Sequence, residues 1–295
     1  MTDPKQAVSL RDWVQGARLR TLPLAVGPVL LGSTSAWTRG ELSPVLSVLA
    51  LLVAVALQVG VNYANDYSDG VRGADSNRVG PQRLTGSGRV SPERVKNAAI
   101  FCLAVAMVAG GTLVLLASAW WMLLVGALAL WAAWTYTGGT RPYGYRGLGE
   151  FVVFVFFGPV ATLGTAYVHL GLFPLEAWVT GAAVGFFASA VLLENNLRDR
   201  ETDQLVGKRT LSVLFGVTVS KNLTTAFLLA PYVLFFVLAP SMVGVLVALV
   251  PGLLSVWALI IVWRGSSPQQ LVAALQLTSL NSLIFSIALS AALLV

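Results

Sequence analysis

Two acidic clusters interrupt an otherwise apolar chain, and each stands where a long apolar segment ends. The first runs from Asn62 to Asp75 and the second from Glu194 to Asp203. Carboxylates beside a bilayer are costly unless they are paired, hydrated or bound to a metal. Hard oxygen ligands of this kind suit Mg²⁺, which usually takes one or two carboxylates together with substrate phosphates. The clusters therefore predict a membrane enzyme that handles a diphosphate at the membrane surface.

The composition is that of an integral membrane protein. Of the 295 residues, 56% are hydrophobic and 11% are charged, and the mean hydropathy is +0.77. A soluble domain carries about 25% charged residues. The net charge of +6 does not indicate nucleic acid as a partner, because the basic residues fall in loops beside the acidic clusters and form no continuous basic face. The partner expected from composition is the lipid bilayer.

Apolar segments long enough for a membrane helix recur along the chain. A helix needs about 20 residues to cross a bilayer, and nine segments predict an all-α integral membrane protein with nine transmembrane helices. They cover roughly 22–38, 44–64, 95–117, 119–137, 150–170, 175–194, 213–238, 241–263 and 269–294. We expect residues 1–21 to form a cytoplasmic amphipathic segment and residues 22–295 to form a single transmembrane domain.

The basic residues predict which side of the membrane each loop faces. With the N-terminus in the cytoplasm, the loops 65–94, 138–149, 195–212 and 264–268 face the same side and are rich in arginine, while the opposite loops carry Arg39 alone. This asymmetry follows the positive-inside rule. Both acidic clusters then lie on the cytoplasmic side. We therefore expect a multi-pass protein of a bacterial plasma membrane with its active site at the cytoplasmic side.

The spacing within each cluster places carboxylates on a common helical face. Asp66 and Asp69 are three residues apart, and Asp199 and Asp203 are four apart, so the members of each pair are neighbours on a helix. Two facing acidic stripes of this kind suit one or two Mg²⁺ ions. The predicted metal ligands, of which the first four are also predicted to be catalytic, are Asp66, Asp69, Asp199, Asp203, Asn62 and Asp75.

Basic and aromatic residues lie among these acids. Arginine grips phosphate oxygens bidentately, and the departure of an allylic diphosphate leaves a carbocation that requires an apolar, aromatic pocket. The phosphate candidates are Arg72, Arg83, Arg89, Arg141, Arg198, Lys208 and Arg209. The aromatic candidates are Tyr63, Tyr67, Tyr136, Tyr143 and Tyr145, for which a position in the interfacial aromatic belt is the alternative interpretation. His169 is interpreted as interfacial, and Glu150 and Glu194 as structural.

At these residues the chain resembles the UbiA superfamily of intramembrane aromatic prenyltransferases. The run from Asn65 to Asp69 matches the superfamily's Asn-Asp-x-x-Asp motif, and the pair Asp199 and Asp203 matches its Asp-x-x-x-Asp motif. The similarity is greatest to the branch that prenylates 1,4-dihydroxy-2-naphthoate. Two segments indicate that branch, Arg-Pro-Tyr-Gly-Tyr at 141–145 and Asn-Asn-Leu-Arg-Asp at 195–199.

The resemblance implies a bundle of nine helices around a central cavity, with Mg²⁺ as cofactor. It implies transfer of a prenyl chain from polyprenyl diphosphate to 1,4-dihydroxy-2-naphthoate with loss of CO₂, giving demethylmenaquinone. The substrate-binding residues expected are Asn62, Asn65, Arg20, Arg72, Arg141, Tyr143, Tyr145, Asn196, Arg198 and Lys208. Many relatives acting on hydroxybenzoate carry a Tyr-x-x-x-Lys-Arg run that begins at the tyrosine matching Tyr136. This chain lacks that lysine, and Arg141 is the expected substitute.

Three other functions are compatible with parts of the sequence. A related prenyltransferase would act on 4-hydroxybenzoate, homogentisate or haem, and only the acceptor would differ. A CDP-alcohol phosphotransferase would share the start of its motif at 66–70, but the second half of that motif is absent from the same loop. A secondary transporter would bind ions through the acids, although transporters place such groups near the bilayer midplane.

Overall fold

Proline residues mark where several of the helices begin. Proline has no backbone N–H and a pre-set φ, so it suits the first position of a helix. Pro23, Pro44, Pro92 and Pro268 each occupy that position in the computed structural model, which describes residues 8–74, 83–238, 242–265 and 267–294. Asp75 lies outside the described residues, so its predicted role as a metal ligand has no structural counterpart here.

The described chain is helical almost throughout. The α-helices are α1 (Leu10–Ala17), α2 (Pro23–Trp37), α3 (Pro44–Val71), α4 (Pro92–Ala117), α5 (Met122–Thr135), α6 (Gly149–Val155), α7 (Ala161–Leu170), α8 (Leu175–Arg198), α9 (Arg200–Leu205), α10 (Leu211–Leu238), α11 (Met242–Arg264) and α12 (Pro268–Leu294). A π-helical turn, Phe156–Val160, joins α6 to α7, and 3₁₀ turns cover Leu19–Thr21 and Tyr143–Arg146. The expected all-α class is confirmed.

Seven helical segments of the described ranges are long and apolar enough to cross a membrane. They are α3, α4, the continuous segment Gly149–Leu170, α8, α10, the part of α11 from Val247 to Arg264, and α12. The remaining two predicted spans contain helices of 15 and 14 residues, α2 and α5. At 1.5 Å per residue these rise only about 21–23 Å, less than the roughly 30 Å of a hydrocarbon core. The nine-span topology therefore stays a prediction.

Small residues let α8 approach the π-helical turn closely. Gly181 and Gly185 are four residues apart on α8, the spacing that brings membrane helices into backbone contact. A Cβ atom on Gly158 would lie 2.5 Å from the carbonyl oxygen of Gly181 and 2.7 Å from the Cα atom of Gly185. The glycines therefore set the distance between α8 and the π-helical turn that joins α6 to α7.

The largest apolar cluster joins α2, α8, α10, α11 and α12. Phe187 of α8, Phe285 of α12 and Phe235 of α10 are fully buried. The rings of Phe187 and Phe285 meet edge to face at 5.2 Å, and those of Phe235 and Phe285 at 5.6 Å. Such pairs contribute about 0.5–1.5 kcal/mol beyond the burial of their area. This cluster holds together the half of the molecule that carries the second acidic motif.

The short helix α1 packs on the end of α3 that carries the first acidic motif. Ser9 and Asp12 form a capping box at its start. The Tyr63 hydroxyl donates to the backbone carbonyl of Trp13 at 2.8 Å, and the two rings meet edge to face at 5.7 Å. Leu10 stays 80% exposed. This arrangement leaves an apolar side chain exposed and fixes the N-terminal segment beside the motif.

The close approach at Gly158 yields a stability prediction. Gly158→Ala places a methyl group against backbone atoms that cannot move away, and we expect destabilisation of about 1–3 kcal/mol. Gly126→Ala is the matched control, because a Cβ on Gly126 of α5 meets no atom within 4 Å and alanine favours a helix. Thermal unfolding in detergent measures both variants, and equal midpoints would contradict the packing argument.

Candidate active site

Lys208 lies between the two acidic motifs and brings them together. Its Nζ atom is 3.6 Å from Oδ2 of Asp69 and 3.4 Å from Oδ1 of Asp203. Asp69 belongs to α3 and Asp203 to α9, so the motifs meet although they are far apart in the sequence. Both carboxylates are buried, and buried charges of like sign repel unless a cation compensates them. The predicted meeting of the two clusters is therefore present in the fold.

Asp69 is also held by residues of two loops. The Tyr145 hydroxyl donates to Oδ1 at 2.8 Å, and Nη2 of Arg83 is 3.6 Å from Oδ2. The ring of Tyr145 lies 5.0 Å from Nζ of Lys208 and 5.5 Å from Cζ of Arg72, measured to the ring centroid. Both distances are within the range of a cation–π interaction. Tyr145 thus orients Asp69 with its hydroxyl group and attracts two cations with its ring.

Asp66 binds the backbone of the loop that follows α3. Its Oδ2 accepts the N–H of Leu84 and its Oδ1 accepts the N–H of Thr85, both at 2.8 Å. The side chain is 1% exposed. Each carboxylate oxygen retains a second lone pair, so these bonds are compatible with a further ligand. In the structure as described, however, Asp66 serves first to fix the loop at 83–85 against α3.

Asp199 lies at a helix boundary, which corrects the expectation of one continuous helical face. Helix α8 ends at Arg198, and Asp199 has φ −91° and ψ 5° before α9 begins at Arg200. The Arg198 side chain binds both carboxylate oxygens of Asp199, with Nε at 2.7 Å and Nη2 at 2.5 Å. Asp199 and Asp203 are still joined by one helical turn, because the N–H of Asp203 donates to the carbonyl of Asp199 at 2.8 Å.

The four amide and guanidinium groups near the motifs bind neighbouring segments. Nδ2 of Asn62 donates to the carbonyl of Ala17 at 2.9 Å, and Oδ1 of Asn65 accepts the Thr137 hydroxyl at 2.8 Å. Arg72 donates to the carbonyls of Thr137 and Gly139, and Arg198 additionally donates to Oδ1 of Asn195 at 2.8 Å. The bonds of Asn62, Asn65 and Arg72 tie α1, α3 and the loop after α5 into one polar layer, whereas the bond between Arg198 and Asn195 lies within α8.

A pocket of about 530 Å³ opens from this polar layer into the apolar part of the bundle. Its polar end includes Asn62, Asn65, Asp69, Arg83, Tyr136, Thr137, Tyr143, Asn195, Asn196, Asp199 and Lys208. Its other lining residues are mainly apolar and come from α2, α3, α4, α5 and the segment around the π-helical turn. Along α5 the lining extends from Met122 to Ala133, a rise of about 17 Å.

The remaining predicted residues are distributed around this pocket. Within the described part of the chain, Asp66, Asp203, Arg72 and Tyr145 are not part of its lining. Asp203 and Tyr145 contact Lys208, and Arg72 contacts Thr137, and both of these residues line the pocket. Arg20 and Arg198 instead line a second pocket of about 30 Å³, together with Gln15, Arg18, Thr21, Arg83, Asn195 and Leu275. Arg141 is exposed and lines neither pocket. Its predicted role as the substitute for a missing lysine stays a prediction.

Burial changes the protonation behaviour of groups outside the membrane-spanning segments. Burial raises the pKa of Asp203 to about 6, although the positive charge of Lys208 lowers it. Burial, and then the charge of Asp69, raises the pKa of the Tyr145 hydroxyl above its usual range, and burial does the same for Tyr143. Both tyrosines therefore remain neutral hydrogen-bond donors. A cation beside Asp203 would favour its charged form.

Sequence reasoning missed Glu150 and Thr137. Glu150 is 3% exposed and accepts Nδ2 of Asn196 at 2.9 Å, whereas its position at the start of a span suggested a structural role. Thr137 holds Asn65 through its hydroxyl and Arg72 through its carbonyl. The one available signal was the position of both residues at the two ends of the polar loop 137–150, which connects two apolar segments.

Comparisons with known proteins identify the family of the chain. The model of the UbiA prenyltransferase family matches residues 25–292. The chain is 44% identical to the 1,4-dihydroxy-2-naphthoate octaprenyltransferase of Mycobacterium tuberculosis (strain ATCC 25618 / H37Rv), over 97% of each protein. It is 38% identical to the protein of the same name from Escherichia coli (strain K12), over 72% of this chain and 71% of that protein.

Solved structures show the same fold. A UbiA homolog from Aeropyrum pernix K1 superposes with a TM-score of 0.71 at 18% identity and covers 96% of this chain and 98% of that one. A UbiA homolog from Archaeoglobus fulgidus bound to GPP and Mg²⁺ has a TM-score of 0.60 at 18% identity, over 95% of this chain and 100% of that one. The protein belongs to the UbiA prenyltransferase family.

Proposed function

We propose that the protein transfers a polyprenyl chain from polyprenyl diphosphate to 1,4-dihydroxy-2-naphthoate, with loss of CO₂ and formation of demethylmenaquinol, the reduced form of demethylmenaquinone. The observation that carries the proposal is one pocket with two chemically distinct ends. Its polar end contains Asp69, Asp199 and Lys208, while the rest runs along α5 between apolar walls. A prenyl diphosphate likewise has a charged head, which suits the polar end, and a long hydrocarbon tail, which suits the apolar walls. The high identity to naphthoate octaprenyltransferases supports the choice of acceptor.

The residues at the polar end fit Mg²⁺ as the cofactor. Among the described residues, no three His, Cys, Asp or Glu side chains are close enough together to form a metal cage. Mg²⁺ seldom uses such a cage and instead takes one or two carboxylates, waters and substrate phosphates. We assign Asp69 and Asp199, which line the pocket, as the first ligands, with Asn62, Asp66 and Asp203 beside them. The bound ion would neutralise the diphosphate and improve it as a leaving group.

Cationic side chains complete the diphosphate site. Lys208 and Arg83 line the pocket beside Asp69, and Cζ of Arg72 lies 5.5 Å from the centroid of the Tyr145 ring. Arginine and lysine at this place offset the charge that builds on the diphosphate as the carbon–oxygen bond breaks. The apolar walls keep water from the allylic cation. Asn65, which accepts a hydrogen bond from Thr137, also lines the polar end of the pocket.

The acceptor ring attacks the allylic carbon through the ring carbon that carries the carboxylate. The new carbon–carbon bond forms, the diphosphate leaves, and the departure of CO₂ restores aromaticity. No side chain has to remove a ring proton, which agrees with a chain whose one histidine, His169, binds Ser47 and Thr165 far from both acidic motifs. We assign Tyr143 and Asn196, which line the pocket, to the acceptor, with Arg198 and Arg141 as candidate partners for its carboxylate.

The proposed setting is the plasma membrane of a bacterium. In this proposal α2 and α5 complete nine membrane-associated helices around the pocket, and residues 1–21 lie along the membrane surface. Basic residues are concentrated on the loops that carry the acidic motifs, whereas the opposite loops carry Arg39, which pairs with Glu176. By the positive-inside rule the polar end of the pocket faces the cytoplasm. Both substrates would reach it from that side or through the bilayer.

The activity itself is the first test. Purified protein in detergent or nanodiscs, supplied with Mg²⁺, a polyprenyl diphosphate and 1,4-dihydroxy-2-naphthoate, is expected to form prenylated naphthoquinol and to release CO₂ from carboxyl-labelled acceptor. A chelator should abolish the product and added Mg²⁺ should restore it. Mass spectrometry identifies the product. Absence of product from folded protein, or preferential prenylation of 4-hydroxybenzoate in a competition assay, would refute the proposal.

Asp69 and Asp66 are expected to respond differently to the same substitution. Asp69→Asn removes a carboxylate from the pocket, and we expect kcat/KM to fall by about 100-fold or more, as for the loss of one electrostatic contact in an active site. Asp66→Asn leaves a buried backbone N–H of the loop unpaired, which costs about 1–3 kcal/mol of stability. Kinetic assays and thermal unfolding of both variants measure the two effects. A stability loss confined to Asp69→Asn would contradict the assignment.

The orientation is testable by labelling single cysteines in intact cells. On a background with Cys102→Ser, a membrane-impermeant maleimide should label Glu41→Cys, in the loop after α2, and leave Ser87→Cys unlabelled until the cells are opened. Both positions are exposed in the structure, so access to the reagent depends on the side of the membrane. Labelling of Ser87→Cys in intact cells would place the polar end of the pocket outside the cytoplasm.

A further inference from the structure

Glu150 is a buried carboxylate outside the two acidic motifs. It lies in the first turn of α6, where the helix dipole favours a negative charge, and it is 3% exposed. Its Oε1 atom accepts Nδ2 of Asn196 at 2.9 Å, and its backbone carbonyl accepts the Ser189 hydroxyl at 2.9 Å. Both partners belong to α8. The side chain and the backbone of Glu150 therefore fix α6 to the part of α8 that precedes Asp199.

The chemistry of a carboxylate determines which way the amide of Asn196 faces. A carboxylate accepts hydrogen bonds and donates none, whereas an asparagine amide has a donating NH₂ group and an accepting oxygen. Asn196 must therefore offer its nitrogen to Glu150, which leaves its oxygen for another donor. Asn196 is part of the lining of the large pocket, and Glu150 is not. The effect of Glu150 on the pocket is thus exerted through Asn196.

Aromatic side chains line the pocket together with Asn196. The rings of Tyr136 and Tyr143 both belong to the lining and meet edge to face at 5.5 Å. The Tyr143 hydroxyl donates to the carbonyl of Ala132 at 2.9 Å, so that donor is already engaged. Aromatic walls favour a flat ring, and an amide oxygen in the same pocket favours a ring with a hydroxyl donor. This combination matches a hydroxylated aromatic compound better than a phosphate.

We infer that Glu150 is a positioning residue that holds the amide of Asn196 so that its oxygen accepts a hydroxyl group of the aromatic acceptor. The inference rests on the proposed prenyl transfer and refines its acceptor side. Glu150 touches neither substrate. Its role is to prevent the Asn196 amide from inverting, because an inverted amide would present NH₂ to the acceptor hydroxyl and would lose the hydrogen bond.

Glu150→Gln tests the inference with almost no change in shape. A glutamine amide both donates and accepts, so the variant no longer dictates the orientation of Asn196. We expect KM for 1,4-dihydroxy-2-naphthoate to rise about fivefold, the effect of losing one hydrogen bond. KM for polyprenyl diphosphate and the Mg²⁺ concentration for half-maximal rate should stay within about twofold. Glu150→Asp, which withdraws the carboxylate by one methylene group, is a second variant with the same expected result.

Acceptor analogues separate this role from a general effect on folding. Wild-type protein should discriminate against mono-O-methyl ethers of the acceptor, because a methylated oxygen cannot donate to Asn196. In Glu150→Gln, the ratio of kcat/KM between the parent acceptor and at least one of the two ethers should fall by about fivefold. A residue that served only to stabilise the fold would lower both rates together and leave the ratio unchanged.

Exchanging the carboxylate of Glu150 and the amide of Asn196 should restore the affinity for the acceptor. Asn196→Asp alone brings two carboxylates together and should lower acceptor affinity. Combined with Glu150→Gln, the new glutamine can donate to the new aspartate, which again presents an oxygen to the pocket. We expect KM for the acceptor to return to within about threefold of wild type. A double variant that is as poor as the worse single variant would overturn the inference, since coupled residues must show this interaction.

Glu194→Gln is the matched control. Glu194 is a fully buried carboxylate on α8 and, like Glu150, is not part of the pocket lining. Its Oε1 atom accepts the Thr278 hydroxyl at 2.9 Å. Its substitution should leave KM for the acceptor unchanged. If KM for polyprenyl diphosphate or the Mg²⁺ requirement rises as much as KM for the acceptor in Glu150→Gln, Asn196 serves the diphosphate and the inference is wrong. Absence of product from wild-type protein would instead refute the proposed reaction.

Discussion

The structure depends on compensating negative charge at the edge of an apolar bundle. Asp69 and Asp203 approach each other from α3 and α9, and buried charges of like sign repel unless a cation lies between them. Lys208 supplies that cation at 3.4–3.6 Å. The two halves of the chain are thus joined at the site by an electrostatic requirement as well as by apolar packing. A divalent cation bound here would meet the same requirement with more charge.

Several acidic and amide side chains of the polar layer are already held by hydrogen bonds to neighbouring residues. Tyr145 holds Asp69, Thr137 holds Asn65, and the backbone amides of Leu84 and Thr85 hold Asp66. Side chains that are fixed in this way need little reorganisation when a charged substrate arrives, which is how preorganised polar groups lower a reaction barrier. The apolar length of the pocket along α5 serves the opposite requirement. It accepts a hydrocarbon chain and excludes water from the reacting carbon.

The sequence was sufficient for the position of most helices. Apolar length and proline at the first turn locate α3, α4, α8 and α12, because both signals are local. The partner of each acid was not predictable, since Lys208 reaches Asp69 only through the fold. The break between α8 and α9 at Asp199 also escaped prediction, because the spacing of four residues is the same in one helix and across the junction.

The distinction between local sequence signals and contacts made only in the fold also explains why Glu150 was interpreted as structural. A glutamate at the start of an apolar segment usually faces water, and nothing in its neighbours along the chain indicates otherwise. The proposed role of Glu150 follows from its contact with Asn196, which lies 46 residues later in the chain, on α8. A motif identifies the residue that touches a ligand more readily than the residue that orients it. In this pocket the oxygen of Asn196 is available only because a carboxylate, which cannot donate, occupies the other side of the amide.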